Sequence, residues 1–429
     1  MCHPAPAQPT DPDPAADATP ATVPPSPARL RRLFVWAPFT AAVPQLAFGI
    51  TAYFSALQIQ TLDPVHKLEK LALVHTVVAV VSIAVQPLVG IMSDRTRTRH
   101  GARTPWLLIG AAIGAPALVA TGMSQSVPWL IASAVLVHIG FHTLAGPLSA
   151  IQPDRIPVDR RGRYSSLFGL GTIAGGMLVP VIGSRFATRI PLGYAVTATL
   201  LLAITIAFIL RNPDTDNRAA TTEGASPTGS SLKGLWVSPA RHPDFFWVFA
   251  GRFLLFGGYA MIHTFQLYVL QDYIGLSRDQ ATNLTPMIAL VCAPGFVLAV
   301  ALSGMVSDRI GRRKPIVLAG GLVVAAAALI PALTATVPGI VVSFAVLSIG
   351  FGIFISVDQA LATQVLPDQR SGAAKDLGIL NIAAALPNAI APALAAAVVS
   401  CFGGYAALYA TVAVIGVVGA FAVLPVKVR

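Results

Sequence analysis

Long apolar runs alternate along this chain with short polar breaks, and the breaks hold nearly all of its charge. A helix needs roughly 20 apolar residues to cross a bilayer. Twelve runs meet that length: 34–58, 71–93, 105–125, 128–151, 164–186, 190–210, 245–271, 283–306, 315–336, 338–362, 376–400 and 402–426. Six precede a polar stretch and six follow it, so the pattern predicts an all-α membrane protein of 12 transmembrane helices in two six-helix halves. Residues 1–30, rich in Pro, Ala and Asp and without an apolar core, read as a disordered cytoplasmic tail rather than a cleaved signal. The first half takes residues 31–211 and the second 245–429, joined by a flexible linker at 212–244 with much Gly, Ser, Thr and Asp. Within it, Leu232 to Arg241 either lies on the membrane surface with Trp236 at the headgroups or is an extended connector.

The polar breaks repeat. Gly90 to Trp106 reads GIMSDRTRTRHGARTPW, and Gly304 to Pro315 reads GMVSDRIGRRKP. Leu46-Ala-Phe48-Gly49 matches Leu254-Leu-Phe256-Gly257, and the loop Asp154 to Arg161 parallels Gln364 to Arg370. Three matches at similar separations predict pseudo-symmetric halves with a site near mid-membrane between them. Asp94 and Asp308 fall at the C-terminal ends of helices, where the dipole disfavours an anion. Arg95, Arg99 and Arg103, or Arg309, Arg312 and Arg313, supply compensating charge. The bland alternative is that these arginines only hold the loops in the cytoplasm. A topological anchor has no need to recur with the same Gly, Ser, Asp and Arg, which weighs against it.

Composition agrees with the pattern: 55% hydrophobic and 11% charged residues, with a mean hydropathy of +0.71, exclude a soluble globular protein. The formal charge of +11 raises nucleic acid as a partner, but its distribution dismisses it. With both termini inside, every Lys and Arg falls on a cytoplasmic segment except Lys67, Lys70, Arg185, Arg189 and Arg278 outside and Arg252 within the membrane. All five Trp lie at or beside span ends. Cys2, Cys292 and Cys401 have no spacing for a metal site or disulfide framework. No Gly-x-x-x-x-Gly-Lys run and no nucleophile-and-base set is present, so neither an enzyme nor an ATP-driven pump is expected, and no cofactor.

In an apolar bundle the polar residues carry the information. Arg252, Tyr259, His263 and Gln266 share one face of span seven, and Thr51, Ser55 and Gln58 share one face of span one. Both stripes are expected to face the central cavity, against the alternative of interhelical hydrogen bonds. Arg252 and Asp358 each lie about 10 Å inside the membrane. A lone charge there costs about 2.5–3.5 kcal/mol. The pair is therefore expected to be adjacent, with Asp358 as proton site or substrate contact and Arg252 setting its charge, or else as a fixed structural ion pair. His138 and His142 are one turn apart on span four, and His75, Ser82 and Gln86 share a face of span two. Two histidines specify no zinc site, so cavity lining or a proton relay is the expectation. Asn381 and Asn388 share a face of span eleven.

The paired loops resemble those of the major facilitator superfamily, whose signature between helices 2 and 3 is Gly-x-x-x-Asp-Arg followed by Gly-Arg-Arg/Lys. Ser93-Asp94-Arg95, Arg99, Gly101, Arg103, Pro105 and Trp106 look most like the form in the sucrose and glycoside-pentoside-hexuronide-like carriers. Ala102 and Thr104 stand where those carriers have further basic residues. The resemblance implies secondary active transport by alternating access, as a multi-pass monomer of the cytoplasmic membrane whose partners are a small-molecule substrate, the lipid bilayer and a coupling ion. It also implies a cytoplasmic gate in which Asp94 docks on the start of helix eleven, Ser371 to Asp376. By symmetry, Asp308 would meet the start of span five, near Arg161 to Tyr164. Sodium-coupled glycoside carriers have carboxylates in helices two and four. Here those spans carry only His75, His138 and His142, so the proton is the expected ion, in symport with a sugar or glycoside. The rival is proton-coupled efflux of a drug or secondary metabolite. Such exporters have Gly-Pro-x-x-Gly-Gly in helix five, and span five, GLGTIAGGMLVPVIGS, lacks the Gly-Pro pair.

Overall fold

Hydrocarbon offers a peptide group no hydrogen-bond partner, so each apolar run must close its own backbone bonds, as a helix does. The computed structural model describes residues 26–218, 241–365 and 373–427, and these form twelve long helices with short connections. They are α1 (Pro27–Leu62), α2 (Lys67–Arg95), α3 (Thr104–Gly122), α4 (Val127–Arg155), α5 (Arg161–Arg185), α6 (Ile190–Arg211), α7 (Pro243–Thr264), α8 (Arg278–Ile310), α9 (Lys314–Leu333), α10 (Val337–Gln364), α11 (Ala373–Cys401) and α12 (Tyr405–Phe421). Eleven are long and apolar enough to span a bilayer, and α12, with 17 residues, is the short one.

Local chemistry sets where the helices start. Pro105, Pro128, Pro191, Pro243, Pro315 and Pro338 occupy first-turn positions, where a missing N–H is harmless. Ser126, Ser277 and Thr336 accept first-turn amides from Trp129, Gln280 and Gly339. α1 begins at Pro27, inside the stretch assigned to the tail, and its 36 residues extend about 54 Å, well beyond a hydrocarbon core of about 30 Å. Arg29, Arg31 and Arg32 are exposed on its first turns. Span seven departs from its predicted length: α7 stops at Thr264, and a short turn and a π-turn carry the chain to Tyr273. The readings of residues 1–25 and of Leu232 to Ala240 lie outside the described residues.

With lipid tails as apolar as leucine, helices associate through close packing at small residues. A Cβ on Gly171 or Gly175 of α5 would stand 2.1 or 2.2 Å from the Pro38 or Ala42 carbonyl oxygen of α1. Gly110 and Gly114 of α3 approach Gly140 of α4 in the same way, and Gly320 of α9 approaches Gly350 of α10 at the matching place in the second half. The pairings repeat throughout: α1 on α5 and α6, α2 on α4, α3 on α4 and α6; then α7 on α11 and α12, α8 on α10, α9 on α10 and α12. The halves meet where α2 lies against α11 and α5 against α8.

Candidate functional site

Between the halves lies a cavity of about 470 Å³. Of the residues singled out in the sequence, Thr51, Ser55, His138, His142, Tyr259 and His263 line it, joined by His75, Ser82, Gln86 and Asn388. No Asp, Glu, Lys or Arg is among its described lining residues, whose polarity comes from four imidazoles, hydroxyls and two amides. Thr51 and Ser55 donate to the Ala47 and Thr51 carbonyls of their own helix at 2.9 and 2.6 Å, leaving oxygen lone pairs toward the cavity. Ser82 donates to the Val78 carbonyl at 2.7 Å and lies 3.1 Å from His138 Nδ1. His142 is only 9% exposed, and neither of its ring nitrogens has a hydrogen-bond partner among the described residues. A buried polar group normally has one, so this imidazole is a ready contact for an occupant.

Aromatic rings cluster at matching places in the two halves, and Phe48 and Tyr259 bring these clusters to the cavity. Phe48 lies 5.0 Å from Phe141 and 4.9 Å from His138. In the second half Phe256 lies 5.2 Å from Phe351, on which Tyr259 stacks at 4.0 Å. Tyr259 in turn touches His263, with ring centres 4.1 Å apart. Phe48 and Thr264 line the cavity without having been singled out for it. Phe48 carries one signal, its place one helical turn before Thr51.

Other expected members sit elsewhere. Gln58 is buried in the first half, where its Nε2 donates to the Thr121 carbonyl at 2.7 Å and its Oε1 accepts from Tyr194 at 3.2 Å. It knits α1 to α3 and α6, the interhelical role weighed as the alternative. Gln266 follows the end of α7 and is not among the lining residues. The side chain of Asn381 lies outside the described residues. Arg252 Nε stands 3.3 Å from Asp358 Oδ2, with the two residues 6% and 2% exposed. This pair joins α7 to α10 behind the cavity wall. The Arg252 guanidinium also lies 5.6 Å from the Phe256 ring centre, so Phe256, Phe351 and Tyr259 connect the pair to the cavity.

At the end of the bundle that carries the repeated loops, Arg103 is the hub. Its Nη1 donates to Asp94 Oδ1 at 2.6 Å and to Ser93 Oγ at 2.9 Å, and its Nε donates to Asp154 Oδ2 at 2.8 Å. Burial works against its charge, but the carboxylates of Asp154 and Asp94 outweigh that and raise its pKa. Asp94 thus binds within its own half. Gly90 is half-buried and Arg95 exposed. The implied partner of Asp94 at Ser371 to Asp376, and the side chain of Asp308, lie outside the described residues. Gly304 is half-buried, and Arg309 and Arg312 are exposed. Arg161 donates to the Ile156 and Pro153 carbonyls.

The opposite end holds a cluster of polar bonds across the halves, which the sequence reading did not anticipate. Lys67 Nζ pairs with Asp272 at 2.6 Å, Gln60 donates to Gln271 at 2.5 Å, Arg278 donates to Thr61 at 3.1 Å, and Tyr268 donates to the Ala56 carbonyl at 2.8 Å.

Comparison with known proteins adds the following. The family model described as Major Facilitator Superfamily matches residues 33–374 and 267–429. Sucrose transport protein SUC3 of Arabidopsis thaliana is 27% identical over 121 residues, and the Lactose permease of Lactobacillus helveticus is 30% identical over 135. These matches take in 23% and 28% of the chain and 20% of each relative. Among solved structures, nucleoside transporter NupG superposes with a TM-score of 0.72 at 13% identity, covering 92% of this chain and 100% of that one. A bacterial homolog of the human lysosomal transporter Spinster gives 0.68 at 16%, covering 94% and 96%. At such identities the likeness is one of fold.

Proposed function

The chain belongs to the Major Facilitator Superfamily and is a membrane transporter rather than an enzyme, and from that premise we propose that it carries a sugar or glycoside by proton symport. The observation that supports this reading is a cavity whose described polar lining is neutral and rich in hydroxyls, amides and imidazoles, with one aromatic ring from each half, Phe48 and Tyr259, beside it. Such a lining offers hydrogen bonds to hydroxyls and flat apolar faces to a ring, and none of its described residues offers a carboxylate to a cationic drug. The protein sits in the cytoplasmic membrane as a monomer with both termini inside, which puts the repeated loops at the cytoplasmic end.

Asp358 is the proposed proton site. Protonation removes the charge that pairs with Arg252, and the cation then rearranges against Phe256. Phe351 and Tyr259 pass that change to the cavity wall. Asp94 and Arg103 hold the cytoplasmic ends of α2, α3 and α4 together as part of the gate, with Asp308, Arg309 and Arg312 in the same role in the second half. Uptake and efflux of labelled sugars and amphipathic antibiotics, in vesicles with an intact or collapsed proton gradient, tests the reading. Gradient-dependent sugar accumulation is expected. Gradient-dependent exclusion of an antibiotic would replace it with drug efflux.

A further inference from the structure

The seven residues that leave α6 do not run free toward the second half. They return to the α2–α3 loop and bind it at three places. Asp214 Oδ2 accepts the backbone N–H of Arg103 at 3.1 Å, while its Oδ1 pairs with Arg155 of α4 at 2.6 Å. Asn217 behaves like a strand partner to the loop: its Oδ1 accepts the Thr98 N–H at 2.9 Å and its Nδ2 donates to the Thr96 carbonyl at 2.9 Å. Arg155 also donates to the Asn212 carbonyl at 3.3 Å.

The loop is shaped to receive this segment. Gly101 has φ +80°, and a Cβ there would fall 2.1 Å from Asp214 Cγ. Any other residue would displace the carboxylate and strain the backbone. Thr98 braces the turn by donating from Oγ1 to the Gly101 carbonyl at 2.7 Å. Asp214 and Arg155 are mostly buried, with side chains 10% and 17% exposed, which sets this contact apart from a solvated surface pair. The second half makes a comparable contact by other means: Lys314, the first residue of α9, donates to the Val426 carbonyl of the chain leaving α12.

We propose that Asp214 and Asn217 are positioning residues of the gate. They pin the start of the inter-half linker to the α2–α3 loop and hold Arg103 where it forks between Asp94 and Asp154. Asp214 grips the backbone of the same residue whose guanidinium makes the fork, so losing the grip frees both. Three carboxylates, Asp94, Asp154 and Asp214, and two arginines, Arg103 and Arg155, then act as one unit across α2, α3, α4 and the exit of α6. The inference rests on Asp94 belonging to the gate, as proposed above.

Hydrogen–deuterium exchange on the purified full chain tests the pinning, and it needs no knowledge of what is carried. In Asp214→Asn the segment 96–104 is expected to exchange about tenfold faster, while the helices keep wild-type protection. Asn217→Ala is a second variant that touches no charge and is expected to speed the same segment. Unchanged exchange in both variants overturns the pinning. The gate role is read separately, as the rate at which a membrane-impermeant maleimide applied from the loop end labels Ala79→Cys in the cavity wall of a cysteine-free background. Asp94→Ala and Asp214→Asn are each expected to change that rate, and the double variant no more than the stronger single. Multiplying effects, or no effect of Asp214→Asn, overturns the shared unit.

Discussion

Arg252 and Asp358 stand out in the sequence because charge in hydrocarbon is costly, and the same cost explains why two such residues on different helices lie together. Removing one partner of a buried pair costs more than the pair contributes. Arg252→Ala should therefore lower stability by about 3 kcal/mol, and Arg252→Gln with Asp358→Asn should recover most of it. Thermal unfolding of the purified variants checks this; equal melting of all three would show the pair to be energetically idle. His142 offers a second prediction. With neither ring nitrogen partnered among the described residues of a side chain that lines the cavity, His142→Ala should weaken substrate binding by about tenfold and leave stability nearly unchanged, which a competition assay and a melt distinguish. Phe48 shows what the sequence hides. A phenylalanine in an apolar run has little contrast with its neighbours, and beyond its place one turn before Thr51 its contacts with His138 and Phe141 mark it. Gln58 shows the reverse, a polar residue with ample contrast whose partners turn out to be other helices.

At the scale of helices, twelve spans were legible because a span is set by length and hydropathy, both one-dimensional properties. The break at Thr264 was not, since His263, Thr264 and Gln266 continue the mixed polar and apolar pattern of the span across it, with no Gly or Pro to mark an end. Helix contacts were half legible: glycines can be counted, but only the fold tells which of them meet a neighbouring backbone. Gly171 of α5 meets the Pro38 carbonyl of α1, whereas Gly169 on the same helix has nothing within 4 Å. Gly171→Val should cost about 3 kcal/mol or more, while Gly169→Ala should be neutral or stabilise by up to about 1 kcal/mol. A thermal melt of the two variants in the same detergent reads the difference, and equal effects would contradict the close α1–α5 crossing.

For the whole molecule, the repeat of the charged loops pointed to two halves, and the repeated pairings of their helices follow it. The repeat is broken where the chemistry is placed. By the register that aligns Gly110 with Gly320 and Gly140 with Gly350, Leu148 stands opposite Asp358, so the ion pair belongs to the second half alone. The bonds that close the far end, Lys67 with Asp272 and Gln60 with Gln271, join halves distant in sequence. No local pattern marks them. A partly exposed pair contributes at most about 1 kcal/mol, so Asp272→Asn should shift the population toward opening at that end by up to about fivefold. Distances between spin labels across the two ends report the shift, and an unchanged distribution would dismiss the latch. The central claim, that a proton moves with the solute through Asp358, is met most directly by proteoliposomes holding a pH-sensitive dye. Adding outside a sugar that the chain accumulates should acidify the lumen with the wild-type chain and leave it unchanged with Asp358→Asn. Equal acidification by both proteins would contradict the claim.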